Sequence, residues 1–82
     1  MDLVEVLGSN VRRVRKEKGL SQEQLALDCG MKRSYVSDLE RGTRNPSVRA
    51  LGRLAIALNV EPADLLKRQT KPYPKACDAS SR

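Results

Sequence analysis

The sequence predicts an all-α fold of five short helices. Apolar residues recur at spacings of three or four along the first 66 residues, as Leu3, Leu7, Val11 and Val14 illustrate, and no segment alternates as a strand would. A glycine or a proline separates or opens each apolar stretch, which is typical of helix ends. Together these observations indicate a small helical domain around one core.

The first two helices are bounded by recognisable end signals. Helix one is predicted from about residue 3 to Lys18, where Gly19 provides a stop. Ser21 can accept hydrogen bonds from the free backbone N–H groups of a helix that begins at about Gln22. Gly30 tolerates the left-handed backbone that ends a helix, so helix two is predicted to stop there, before a turn of about three residues.

Helix three is predicted from about Arg33 to Arg41. At about 100° per residue, Val36 and Leu39 fall on one side, which indicates the side that faces the core. The opposite side carries only polar and charged residues, namely Ser34, Ser37, Asp38 and Arg41, with Arg33 in the first turn. Such a face, behind a helix and a tight turn, is suited to reading base edges in the major groove of DNA.

Helices four and five complete the predicted domain. Ser47 is placed to cap helix four after a loop that ends at Pro46, and Pro62 opens helix five. The inner stripe of helix four is predicted to be Val48, Leu51, Leu54, Ala55 and Leu58. We therefore predict a binding domain over residues 1–66 and a basic, disordered tail over residues 67–82, where two prolines and small polar residues predominate.

The charge pattern favours a polyanionic partner. Sixteen Lys and Arg against ten Asp and Glu leave a net charge of +6, of which +4 lies in residues 67–82 and +2 in residues 1–66. Within residues 30–53 the local charge is nevertheless +4. Because this segment contains helix three and the loop after it, the positive charge lies where DNA phosphates would be.

Composition argues against several other classes of protein. There is no histidine, and Cys29 and Cys77 lack the spacing of a zinc site, so no metal and no cofactor are expected. No phosphate-cradling glycine loop or nucleophile motif is present, which argues against an enzyme. No apolar stretch approaches membrane-spanning length and no secretory signal is apparent, so we expect a cytoplasmic protein. Cys29 is interpreted as a small core residue.

The segment LSQEQLALDCGMKRSYVSDLERGTRNPSVRALGRLAIALNVEPADLL closely resembles the lambda-repressor-like (Cro/Xre) helix-turn-helix family, and with helix one the likeness covers about residues 3–66. SYVSDLERGTRNPS is its most specific part. The chain is most similar to small stand-alone regulators, including the controller proteins of restriction-modification systems. The resemblance implies a compact five-helix domain that binds double-stranded DNA as a homodimer and regulates transcription.

The resemblance also implies roles for individual residues. Base reading would fall to Arg33, Ser34 and Asp38, to which the polar face adds Ser37. The sugar-phosphate backbone would be contacted by Gln22 at the start of helix two and by the loop of Thr43, Arg44 and Asn45, and the residues themselves add Lys32, Tyr35 and Arg41. Arg15 and Glu40 match a pair that ties helix one to helix three in relatives.

Several of these roles have alternatives. Arg33 is the natural bidentate partner of guanine but could contact a phosphate instead. Asp38 could accept from a cytosine amino group or pair with Arg41 one turn later. Tyr35 could pack against a neighbouring helix, and Gln22 could simply face solvent. Lys32 departs from the Ser or Thr that relatives commonly carry, so we expect a third helix without a side-chain cap.

A length argument predicts a dimer. One reading helix spans too few base pairs for useful specificity, whereas two related by a two-fold axis read half-sites about 34–36 Å apart in an inverted repeat. Leu65 and Leu66 are the predicted dimer contacts. The rival class is a protein-interaction or antitoxin-like module that uses residues 67–82 to hold a partner protein. No small-molecule ligand is expected.

Overall fold

The computed structural model describes residues 2–68. Four α-helices follow one another, α1 (Leu3–Glu17), α2 (Gln22–Cys29), α3 (Arg33–Glu40) and α4 (Val48–Leu58), and a 3₁₀ helix (Pro62–Leu66) comes after them. Residues 2–68 contain no β-strand. The all-α class is therefore confirmed, and the predicted order of elements is the observed one.

The fifth helix differs from the prediction in type. Pro62 does open it, but only five residues are helical before Lys67 adopts an extended backbone, with φ −86° and ψ 138°. A segment of five residues leaves room for few α-helical hydrogen bonds, and short pieces of this kind commonly adopt the tighter 3₁₀ geometry. The fold thus has four α-helices and one 3₁₀ helix.

The predicted helix ends are largely observed. The Ser21 Oγ accepts from the Gln24 N–H at 2.9 Å, and the Ser47 Oγ accepts from the Ala50 N–H at 3.1 Å. Gly30 ends α2 in the left-handed conformation, at φ 69°. Helix α3 ends at Glu40, one residue before the predicted limit. Local sequence therefore fixes where these helices begin and end.

A single apolar core lies between the helices. All four α-helices and the 3₁₀ helix contribute to it, and its buried residues are Leu7, Val11, Val14, Leu25, Ala26, Cys29, Val36, Leu39, Leu54, Ala55, Leu58 and Leu65. The predicted inner stripe of α4 is confirmed except at Val48, a residue that is 86% exposed. Val48 is the first residue of α4, where the helix leaves the surface loop and has not yet reached the core.

The two residues predicted as dimer contacts differ in how deeply they are buried. Leu65 is completely buried in the core of its own chain, so the prediction that its side chain contacts a second chain is wrong. Leu66 is only partly buried and borders a shallow apolar groove of about 270 Å³ together with Leu3 and Val48. Adjacent residues on a short helix point in different directions, which explains the difference.

Asn10 anchors the end of the 3₁₀ helix from within α1. Its Nδ2 donates to the carbonyl oxygens of Leu65 at 2.8 Å and of Lys67 at 2.7 Å, and the side chain is almost fully buried. These bonds satisfy carbonyl groups that the end of a helix leaves unpaired. Lys67 is thereby held against the domain, whereas residues 69–82 of the predicted tail, and Cys77 with them, lie outside the described residues.

Candidate nucleic-acid interface

Helix α3 separates its apolar and polar sides as predicted. Val36 and Leu39 are completely buried, and they fix the helix to the core. Arg33, Ser34 and Arg41 are exposed, and Ser37 and Asp38 are partly exposed. The helix consequently presents a surface of hydroxyl, carboxylate and guanidinium groups to solvent.

The first turn of α3 carries no side-chain cap. Lys32 has the extended backbone of an N-cap residue, with φ −81° and ψ 148°, but its side chain makes no capping hydrogen bond. The first N–H groups of the helix are therefore left to an external acceptor, and the helix dipole makes this end positive. Arg33 is exposed beside it, and its side chain makes no hydrogen bond or ion pair within residues 2–68.

The end of α3 is fixed by a buried ion pair with α1. The Arg15 Nε donates to the Glu40 Oε2 at 2.6 Å, and the Arg15 Nη2 donates to the Glu40 Oε1 at 3.1 Å. The side chains are only 10% and 4% exposed. A third bond, from the Arg15 Nη1 to the carbonyl of Leu20 at 2.8 Å, satisfies the guanidinium further. The predicted pair is thus present in bidentate, well-satisfied form.

Gln22 joins this ion pair from α2. Its Nε2 donates to the Glu40 Oε1 at 3.0 Å, so Glu40 is held by side chains of α1 and α2 together. The bond leaves Gln22 with one further amide hydrogen that can donate to a phosphate. The sequence pointed to Gln22 through its place at the start of α2 and through the family resemblance, and neither indicated a bond to Glu40.

Asp38 is the centre of a charged cluster at the C-terminal end of α3. Its Oδ1 accepts from the Arg41 Nη2, and its Oδ2 lies 3.5 Å from the Arg44 Nη2. The Arg44 guanidinium carbon lies 4.7 Å from the centroid of the Tyr35 ring, which is a cation–π distance. We call Tyr35, Asp38, Arg41 and Arg44 the Asp38 cluster. It contains the pairing with Arg41 that the sequence left open as the alternative to base reading.

The loop after α3 is attached to the same residue. Both the backbone N–H and the Oγ1 of Thr43 donate to the carbonyl oxygen of Asp38 at 3.0 Å. Gly42 takes a left-handed backbone, at φ 79°, which lets the chain turn directly after the helix. Thr43, Arg44 and Asn45 are all exposed. The predicted phosphate-contacting loop is therefore a structured extension of the polar side of α3.

Other potential sites are less developed in the described part of the chain. Cys29 is buried as predicted, and burial, with a contribution from the neighbouring Asp28, raises the pKa of its thiol. Within residues 2–68 no group of three potential ligands could hold a metal ion. No helix in that range is long and apolar enough to cross a membrane. The polar side of α3 remains the best-formed candidate site.

The helix-turn-helix family model HTH_3 matches residues 11–65, which include every buried core residue except Leu7, together with the Asp38 cluster and Glu40. The chain belongs to this helix-turn-helix family. Control protein C.BamHI of Bacillus amyloliquefaciens is 47% identical to the helix-turn-helix chain over 62 residues, which are 74% of this chain and 76% of that protein.

Solved structures of other regulators are similar to this chain. The restriction-modification controller protein C.AhdI from Aeromonas hydrophila is 47% identical, with a TM-score of 0.74 over 76% of this chain and 94% of that one. The biofilm regulator SinR, solved in complex with DNA, is 37% identical, with a TM-score of 0.71 over 74% of this chain and 98% of that one.

Proposed function

We propose that this chain is a sequence-specific DNA-binding transcriptional regulator that binds an inverted-repeat operator as a homodimer. The observation that carries the proposal is the exposed polar side of α3 on a helix whose other side is fixed by a buried core and by the Arg15–Glu40 pair. A helix held so firmly can enter the major groove without losing its register.

Base reading is assigned to Arg33, Ser34 and Ser37. Arg33 is exposed at the start of α3 and can donate two hydrogen bonds to O6 and N7 of guanine, a contact that discriminates between bases by about 1–3 kcal/mol. The two serines are short and can donate to or accept from base edges while allowing the helix backbone to come close. Asp38 is already engaged by two arginines and is therefore not assigned to a base.

Phosphate binding is assigned to groups that surround this reading surface. The uncapped start of α3 and the N-terminus of α2 present backbone N–H groups and positive dipole ends, which favour anions. The side chains assigned to phosphates are Gln22, Lys32, Tyr35, Arg41, Thr43, Arg44 and Asn45. Contacts of this kind fix the orientation of the protein on the duplex and make binding dependent on salt.

The relatives support the same activity. C.BamHI is a control protein, C.AhdI is a restriction-modification controller, and SinR was crystallised with DNA bound. By similarity to them, we assign this chain a regulatory and not an enzymatic role, which it exerts in the cytoplasm on double-stranded DNA. The DNA-binding domain is proposed to comprise residues 1–66, with residues 67–82 as a basic appendage.

The proposed dimer uses the surface around the 3₁₀ helix. Leu66 is the remaining candidate contact, because it is partly exposed and borders the apolar groove beside Leu3 and Val48. Two copies related by a two-fold axis would place their α3 helices about 34–36 Å apart, one turn of DNA. A dimer with about six to eight phosphate contacts would give a log–log salt slope of about −5 to −7.

Selection of bound fragments from a random DNA pool tests this function. We expect an inverted repeat with two equivalent half-sites, bound by two chains. Arg33→Ala should lower affinity for the selected site by about tenfold or more. Arg12→Ala, which removes an exposed arginine from α1, serves as the matched control and should change affinity much less. Recovery of no common sequence, or binding by one chain alone, would contradict the proposal.

A further inference from the structure

We infer that Asp38 determines DNA specificity by acting through Arg41 and Arg44 and not by touching a base. It holds the two guanidinium groups in place for the operator, and its own negative charge opposes binding to unrelated DNA. This inference rests on the proposed function, which assigns both arginines to phosphates. It adds a positioning residue to that surface.

The geometry leaves both arginines able to bind DNA while they are held. Each oxygen of the Asp38 carboxylate faces one nitrogen, the Nη2 of Arg41 or the Nη2 of Arg44. A guanidinium carries five N–H donors, so each arginine keeps donors for a phosphate without leaving Asp38. The carboxylate can therefore stay in contact with both arginines in the complex.

Arg44 is held from a second direction. Its guanidinium lies over the Tyr35 ring, 4.7 Å from the centroid, and the preceding residue, Thr43, is bonded twice to the Asp38 carbonyl. Arg44 is a loop residue and would otherwise sample many rotamers, at a cost in entropy on binding. The Asp38 cluster removes part of this freedom before DNA arrives.

Direct base reading by Asp38 is disfavoured by the same contacts. A carboxylate that accepts from a cytosine amino group must point an oxygen into the groove. Here both oxygens face arginines, and the side chain is only 31% exposed. Base contact would require the cluster to open and would free two arginines at the moment when they are needed to hold phosphates.

Charge supplies the second half of the inference. Binding to unrelated DNA depends mainly on how many phosphates the protein neutralises, so a carboxylate beside the contact surface weakens it. Binding to the operator additionally requires correctly placed contacts. Removal of the Asp38 charge should therefore strengthen binding to unrelated DNA and weaken binding to the operator. Both changes lower the specificity ratio, which is the affinity for the operator divided by the affinity for unrelated DNA.

The test compares Asp38→Asn with Asp28→Asn. The control makes the same chemical change at an exposed aspartate of α2 whose hydrogen bond is to Gln24 within its own helix. Dissociation constants are measured for the selected operator and for a scrambled duplex of equal length, over a range of salt concentrations. For Asp38→Asn we expect the specificity ratio to fall about tenfold, with a steeper salt slope on the scrambled duplex. For Asp28→Asn we expect the ratio to be retained.

A second comparison tests whether the effect passes through Arg44. Asp38→Asn should weaken operator binding clearly in the otherwise unchanged chain but less in an Arg44→Gln background, because one of the two guanidinium groups that Asp38 positions is then absent. Circular dichroism and thermal unfolding confirm that each variant is folded. Equal effects in both backgrounds would overturn the positioning role.

Three further outcomes distinguish this inference from its alternatives. Loss of discrimination at one base pair alone would show that Asp38 reads that base directly, and would overturn the inference. An unchanged specificity ratio in Asp38→Asn would also overturn it, and both results leave the proposed function intact. Failure of the unmodified chain to prefer any DNA sequence would remove the proposed function and this inference together.

Discussion

Gly8 of α1 lies directly against the backbone of Leu39 in α3. A Cβ atom at position 8 would be 2.2 Å from the Leu39 carbonyl oxygen and 3.1 Å from that of Glu40. Helices α1 and α3 therefore meet backbone to backbone at this point, next to the Arg15–Glu40 pair that joins the same two helices. The absence of a side chain at position 8 sets how closely the reading helix approaches the body of the domain.

Gly8→Ala should destabilise the protein and displace α3. The clash is with backbone, which cannot rotate away as a side chain would, so we expect a loss of about 1–3 kcal/mol in the free energy of unfolding. Urea unfolding measures it. Gly52→Ala is the matched control, because Gly52 is also within a helix but nothing lies within 4 Å of its added Cβ. That change should stabilise the fold by up to about 1 kcal/mol.

Both substitutions also bear on DNA binding. Gly8→Ala should lower operator affinity in conditions where the variant is still folded, since α3 has to move relative to the phosphate contacts of α2. Gly52→Ala should leave affinity unchanged. A Gly8→Ala variant as stable as the unmodified chain would show that α1 and α3 are less closely packed than the structure indicates.

Removing the charge of Glu40 should be costly. Glu40→Gln leaves the Arg15 guanidinium buried without its partner charge, for which about 3–5 kcal/mol of unfolding free energy is the expected loss. Glu17→Gln is the control, because Glu17 pairs with Arg13 on the surface and its side chain is 60% exposed. The control should cost less than about 1 kcal/mol. Similar losses in the two variants, measured by urea unfolding, would show that burial does not decide the effect.

Much of the fold could be predicted because local sequence determines helix ends. Ser21 and Ser47 form the caps that their positions indicate, and Gly30 adopts the left-handed conformation that its place in the turn requires. The polar side of α3 follows from the spacing of Val36 and Leu39 alone. The Arg15–Glu40 pair was found through resemblance, since 25 residues of chain separate its members.

The contacts that could not be predicted depend on how the helices are oriented relative to one another. Asn10 is a polar residue within the apolar stripe of α1, which was the one indication in the sequence of a buried hydrogen bond. Its carbonyl partners could not be predicted, because they are more than 50 residues away. The contact of Gly8 with α3 had no local signal. Leu65 and Leu66 are both predicted as dimer contacts because helical periodicity over five residues cannot tell which of two adjacent leucines faces the core.

Because the Cys29 thiol is buried, we expect the free energy of unfolding to fall at alkaline pH. Its pKa is raised above the ordinary value of 9.0, first by burial and then by Asp28, with Arg53 acting in the opposite direction. The unfolded chain releases this proton at lower pH than the folded one. The Cys29 thiol therefore makes its full contribution to the free energy of unfolding below about pH 9. This contribution is lost as the pH rises above about 9.

Comparison of two variants isolates this effect. In a Cys77→Ser background, which leaves one thiol, Cys29→Ala should lose less unfolding free energy between about pH 7.5 and pH 10 than the chain that retains Cys29. Urea unfolding at both values measures the difference. The alanine variant should be less stable than its parent at neutral pH, because a core contact is lost. Equal alkaline losses in the two chains would contradict the raised pKa.

Lys32 offers a test that links stability to DNA binding at one residue. Its backbone already has N-cap geometry without a capping side chain, so Lys32→Ser should supply the missing hydrogen bond and raise the free energy of unfolding by about 1 kcal/mol. The same change removes a positive charge beside the proposed phosphate site. Operator affinity at low salt should therefore fall, and the salt slope should become shallower by about 0.9.

Lys32→Ala separates the two effects, because it removes the charge without adding a cap. It should weaken DNA binding to a similar degree as Lys32→Ser while giving no increase in stability. Thermal unfolding and titration of the operator at several salt concentrations provide both quantities. If Lys32→Ser increased both stability and operator affinity, the lysine would not contact a phosphate. Water, and not DNA, would then accept hydrogen bonds from the backbone N–H groups at the start of α3.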